Sequence, residues 1–181
     1  MEYIFTLKYR LPASETDMDV LVERLGEAGC DDAVVGIGLP GRLAIEFTRE
    51  AVSAEAAMQA ALDDVRRAVP GADLIEASPD IVGLTDVAAL TGVSRQNMRK
   101  LMVAHAGHFP APMHDGSSSL WHLADLLTWL ATRDGYLVDA GVLETCLAAM
   151  RVNIAKEGAR LAHVLDGPEV PSLTRSASST M

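Results

Sequence analysis

The sequence predicts an α+β protein: an antiparallel sheet backed by helices, then a small helical domain, then one long helix. Three observations carry this. Over residues 1–77, strand-like and helix-like segments follow in the order β-α-β-β-α-β. Over 84–132, short amphipathic segments are separated by glycine- and proline-containing breaks. From about 138 to 165 a helical stripe recurs with one gap, at Glu157 and Gly158.

The first strand comes from Tyr3, Phe5, Leu7 and Tyr9, which alternate with Ile4, Thr6 and Lys8. Residues 17–28 predict a helix with Met18, Leu21, Val22 and Leu25 on one face, stopped by Gly29. A β-branched strand over 33–39 turns at Pro40-Gly41 into a strand over 42–48. There Leu43, Ile45 and Phe47 alternate with Arg42, Ala44 and Glu46. A second helix over 53–69 starts at Ser53 and closes at Pro70-Gly71, and a fourth strand covers 72–77. This is the order of the ferredoxin-like split βαβ arrangement, so residues 1–77 are expected to form such a domain. Both helices would lie on one sheet face, leaving the other open to a partner, a small ligand or a second copy. Tyr3, Phe5 and Tyr9 share their phase with Leu7, so core packing is their expected fate rather than base stacking. Gly36-Ile37-Gly38 reads as a permissive edge or bulge. No glycine-rich phosphate loop and no catalytic constellation is found, so the chain is not expected to be an enzyme, and no cofactor is expected.

Ser78-Pro79-Asp80 marks a boundary. Beyond it, GLTDVAALTGVSRQNMRKL reads as a helix-turn-helix. Thr85 and Asp86 are placed as caps of a first helix carrying Val87, Ala88 and Leu90. Gly92 supplies the turn, Val93 plugs the space between the helices, and Ser94 caps the second helix. Met98, Leu101 and Met102 share one face of that helix. Gln96, Arg99, Lys100 and Val103 share the other, with Arg95 and Asn97 at its flanks. Arg, Lys, Gln and Asn are the side chains that read base edges or hold phosphate. Next, Phe109-Pro110 and Ala111-Pro112 keep the chain extended. Met113-His114 and Leu120-Trp121 read as two short strands around the turn Asp115-Gly116-Ser117-Ser118-Ser119, a β-hairpin wing. A third helix over about 123–132 carries Leu123, Leu126, Leu127 and Leu130 on its core face, with Trp129 beside them.

The pattern DVAALTGVSRQNMRKL…HFPAPM…GSSSLWHLADLLTWL resembles the winged helix-turn-helix of the AlpA/excisionase-like branch of the MerR-type superfamily. The resemblance covers residues 80–133, about a third of the chain. It implies that the second helix enters the major groove and that the wing reaches phosphate or the adjacent minor groove. The candidate DNA-binding set is therefore Ser94, Arg95, Gln96, Asn97, Arg99, Lys100, Ser117, Ser118 and Ser119. One departure is plain: wings of this family are often basic, and this tip holds Asp115 and three serines.

The formal charge is −10. Residues 1–83 hold 16 acids against 7 bases, whereas residues 84–135 hold 4 against 4. The acidity that would repel DNA thus belongs to the first domain. Cys30 and Cys146 are distant in sequence and read as small core residues in a reducing, cytoplasmic compartment. The N-terminus lacks a signal-peptide pattern, and no run is long enough to span a membrane. His105, His108, His114 and His122 form no plausible ligand set; they are read as surface or DNA-facing, and no metal site is assigned. Leu143, Leu147, Met150, Ile154, Leu161 and Val164 recur in steps of four and three, apart from the gap. This marks residues 136–166 as a dimerisation helix or one packing on its own domain. The Pro/Ser/Thr-rich tail, 167–181, is expected to be disordered. The leading expectation is a dimeric, sequence-specific reader of double-stranded DNA, a transcriptional regulator. The alternatives are an antitoxin-like partner that neutralises a basic protein through the acidic domain, and an excisionase-like architectural factor.

Overall fold

A computed structural model of the chain describes residues 1–165, so the tail expected at 167–181 lies outside the described residues. Within them the protein is a mixed α/β structure. β1 (Glu2–Arg10), β2 (Ala33–Ile37), β3 (Arg42–Glu50) and β4 (Asp73–Ser78) form one sheet in the order β2-β3-β1-β4, every neighbour antiparallel. Residue alternation builds its core: Tyr3, Phe5, Leu7 and Tyr9 of β1 and Leu43, Ile45 and Phe47 of β3 are all buried. The register sets Phe5 opposite Phe47, and their rings stack at 5.3 Å. With these aromatic rings buried, β1 presents no base-stacking platform on its open side.

α1 (Met18–Glu27) and α2 (Ala54–Ala68) join this core. Asp17 caps α1 by accepting the Asp19 and Val20 N–H groups, and Ser53 caps α2 by accepting that of Ala56. Three details differ from the sequence pattern. β2 ends at Ile37, β3 runs on to Glu50, and Val22 sits exposed at the margin of the α1 stripe. Arg49, a polar position on β3, is buried: its guanidinium donates to Asp32 (2.7 Å), Asp64 (2.6 Å) and the Gly29 carbonyl (2.7 Å). That network ties β3 to α2 and to the chain after α1.

The second unit contains β5 (Ile81–Val82), α3 (Leu84–Leu90), α4 (Arg95–Ala104), β6 (Trp121–His122) and α5 (Leu123–Ala131). Its core is Val87, Ala88, Met98, Trp121, Leu123, Leu126, Leu127 and Leu130. Leu90, at the end of α3, is exposed. The expected hairpin is present in reduced form. Met113-His114 and Leu120-Trp121 are joined only by one antiparallel bridge, His114 to Leu120, and Trp121 pairs with Val82. Two residues per strand carry no readable periodicity, and Trp121 is drawn to the core, where its Nε1–H donates to the Pro110 carbonyl at 3.0 Å.

α6 (Ala140–Leu165) packs on α2, β1 and β4 of the first unit and on α5 of the second. Its buried positions are Gly141, Thr145, Cys146, Ala148, Ala149 and Asn153. Of the expected stripe, Leu143 and Met150 are half-buried, while Leu147, Ile154, Leu161 and Val164 are exposed. Small side chains let α6 approach closely, and the larger apolar ones turn outward. Ala148 and Ala149 enter the first core and Cys146 the second, so one helix closes both. Glu144 accepts from the Tyr3 hydroxyl (2.9 Å) and the Ala54 N–H (3.0 Å) at the start of α2. Burial pushes the Cys146 thiol up to about 12 and the Cys30 thiol up to about 11, so both are held as unreactive thiols.

The boundary between the units is a polar knot. Asp80 is 1% exposed. One of its carboxylate oxygens meets His122 Nδ1 at 2.6 Å, and the other accepts from the Asn153 amide at 2.8 Å. The same amide donates to the Ala77 carbonyl (2.7 Å), and the Asn153 oxygen accepts the Ala77 N–H (2.8 Å). His122, expected at the surface, is thus half-buried in this junction.

Candidate nucleic-acid interface

The helix pair α3–α4 is built from its caps and turn. Of the two expected caps, Asp86 takes part in capping but from inside α3, whose N-cap residue is Gly83, whereas Thr85 makes no capping bond. Asp86 reaches back from the third helical position to accept the Gly83 N–H at 2.9 Å. Gly92 has φ +69°, a left-handed conformation that glycine adopts without strain. Ser94 accepts the Asn97 N–H at 3.1 Å and so opens α4. Replacing Ser94 by alanine is expected to cost about 1 kcal/mol of stability. Urea denaturation would read this, and an unchanged midpoint would remove the cap from the account.

Met98 anchors α4 in the core, with Leu101 and Met102 half-buried beside it. That fixes the helix rotation. Arg95, Gln96, Asn97, Arg99, Lys100 and Val103 are all exposed on the remaining faces. Arg95, Arg99 and Lys100 form no ion pair with any described residue. Three cations of one short helix thus stand without an acidic partner among the described residues.

The loop after the proline segment folds back toward this helix. Its ends are held by the Met113 N–H on the Leu120 carbonyl (2.8 Å) and the Leu120 N–H on the His114 carbonyl (2.9 Å). Ser119 donates to Asp115 at 3.1 Å across the tip. Phe109 stands edge-on to Trp121 and Trp129, at 6.1 and 4.9 Å, which fixes the proline segment to the core. Arg133 lies 3.8 Å over the Trp129 ring, so this cation serves packing and not the open face.

The consequence is a cleft of about 320 Å³ between α4 and the loop. Arg95 and Arg99 line one wall and Ser117, Ser118 and Ser119 the other. Gly83, Leu84 and Thr85 also line it. Five of the nine sequence-assigned residues are therefore brought together. Gln96 and Lys100 instead flank a shallower depression that they share with Arg99, Val103 and Ala104. Ser94 and Asn97 line neither cleft nor depression. Thr85 is the residue the pattern missed: its place on the cleft depends on how the loop folds over α3, which no local spacing encodes. Among the described residues no three His, Cys, Asp or Glu side chains gather as a metal-ligand set, and no helix is long and apolar enough to cross a membrane. Comparison of the chain with protein-family models, with curated proteins and with solved structures finds no match.

Proposed function

We propose that residues 80–133 act as a winged helix-turn-helix that reads double-stranded DNA, and that the protein is a transcriptional regulator working as a dimer. The observation that carries this is the exposed face of α4, which presents Arg95, Gln96, Asn97, Arg99 and Lys100 and whose three cations have no ion pair among the described residues. A helix of that width and polarity fits the major groove, with its N-terminal residues nearest the bases. The serine loop would then follow the adjacent backbone through hydroxyl and N–H donors rather than through charge. The N-terminal unit is read as ferredoxin-like; its strand order and one-sided aromatic core support this. Leu147, Ile154 and Leu161, exposed and seven residues apart on α6, offer a second copy an apolar seam.

The test is selection of the purified chain against a random double-stranded DNA pool at near-physiological salt. Enrichment of a short inverted repeat is expected, because two copies read two half-sites. No enrichment by well-folded protein would overturn the reading, and binding of a basic protein by the acidic N-terminal unit would take its place.

A further inference from the structure

Away from α4, a groove lies between the end of α2, the ends of β1 and β4 and the far half of α6, with a volume of about 800 Å³. That lies within the range of about 300–1,000 Å³ typical of small-molecule sites. Its lining has two chemistries. Leu62, Val65, Val69, Leu74, Ile75 and the ring of Tyr9 give an apolar floor. Arg10, Arg66, Lys156, Arg160 and His163 stand around it, against two carboxylates, Asp73 and Glu157. Each of the four permanent cations is ion-paired, Arg10 with Asp73, Arg66 with Asp63, and Lys156 and Arg160 with the one carboxylate of Glu157, which leaves a single positive charge in excess in a domain whose balance is acidic. Arg66 and Arg160 are largely exposed, and their ion pairs, with Asp63 and Glu157, are surface contacts of little strength.

Two further features belong to the same place. Tyr9 is 4% exposed, and its hydroxyl has no hydrogen-bond partner among the described residues. Buried hydroxyls are nearly always satisfied, so an orphan behind a groove floor marks an acceptor to come. The last turns of α6, from Glu157 to Leu165, are exposed all round. Lys156 donates to the Ile75 carbonyl and is the last described α6 residue bonded to the sheet. A helix end without packing is marginal on its own, and a molecule in the groove would give Arg160 and His163 something to close on.

We propose that this groove is a binding site for an amphipathic organic anion. Its apolar body lies on the Leu62–Ile75 floor, its acceptor reaches the Tyr9 hydroxyl, and its charge sits among Arg66, Lys156 and Arg160. The inference stands apart from the DNA-binding reading, since it involves no residue of α3 or α4.

Decanoate is a suitable probe, with decyltrimethylammonium as its cationic counterpart. Calorimetric titration of the full chain should give saturable one-to-one binding of decanoate and none of the cation. Hydrogen exchange in residues 157–165 should slow when decanoate is bound. The double variant Arg66→Gln/Arg160→Gln changes only exposed side chains and should weaken decanoate at least about tenfold. Tyr9→Phe should keep or raise the melting temperature without ligand, because it removes an unsatisfied buried group, and should still weaken decanoate. Absence of saturable binding, equal binding of the cation, or full affinity in the double variant would each overturn the site. The last result would put decanoate on the exposed leucines of α6.

Discussion

Asn153→Leu is expected to destabilise the protein by about 3–5 kcal/mol, among the largest effects open to a single substitution outside the aromatic core. The side chain is 6% exposed and makes three hydrogen bonds. Leucine would fill a similar space but leave the Ala77 N–H, the Ala77 carbonyl and one Asp80 oxygen buried without partners. Each unmet neutral group costs about 1–3 kcal/mol, and a carboxylate more. His122 would still hold the other Asp80 oxygen, so part of the charge would stay compensated. The loss is also directional. Asn153 joins α6 to β4 and to the boundary, so the variant should loosen the coupling between the two cores. Both tryptophans, Trp121 and Trp129, lie in the second unit, whereas the four-stranded sheet dominates the first. Tryptophan fluorescence and far-ultraviolet circular dichroism should therefore unfold together in the native chain and separately in the variant. A change below about 0.5 kcal/mol, the scale of ordinary surface substitutions, would show that the knot is not structural. Asp80→Leu combined with Asn153→Leu should cost less than the sum of the two single changes, because the double variant leaves no carboxylate without a partner.

How much of this was legible beforehand depends on the size of the signal at each place. The strands of the first unit could be read because nine-residue β1 and β3 each offer several cycles of alternation. Ser53 and Ser94 could be read because capping is a local act, completed within three residues. The cap of α3 could be read only in part: Asp86 caps by binding backward to the Gly83 N–H from the third helical position, while Thr85, whose residue type suits a cap, makes no such bond. β5 and β6 escaped because two-residue strands hold no pattern, and their pairing is decided by the packing of Trp121. The helix α6 could be read from its stripe, but the face it packs on its own chain could not. Reading by hydrophobicity selects Leu147, Ile154 and Leu161, whereas the packed face uses Gly141, Thr145, Ala148 and Ala149, chosen for close approach. Arg49, Asp80 and Asn153 look like ordinary polar residues in sequence; only the fold shows that their partners come from distant segments. The exposed face of α4 was legible for the opposite reason. Gly92, Ser94 and Met98 fix its rotation within one short stretch.

That fixed rotation makes the second large effect specific. Arg95 and Arg99 both line the cleft facing the serine loop, one turn of α4 apart. On the proposed reading, at least one of them forms a forked contact with a guanine edge, worth about 1–3 kcal/mol of discrimination. Arg95→Ala/Arg99→Ala should then weaken the selected operator by about 100-fold or more, since every 1.4 kcal/mol is tenfold. Folding should be unaffected, because neither side chain is part of an ion pair or hydrogen bond among the described residues. Lys100 lies outside the cleft, beside Gln96, and fits a phosphate contact. Lys100→Ala should weaken selected and unrelated DNA alike and lower the slope of log affinity against log salt by about 1. The two variants thus separate base reading from backbone attraction in one pair of salt titrations. If the double arginine variant lost selected and unrelated DNA equally, α4 would be an electrostatic contact and not a reader. If it lost neither, the cleft would have to be assigned to something other than DNA.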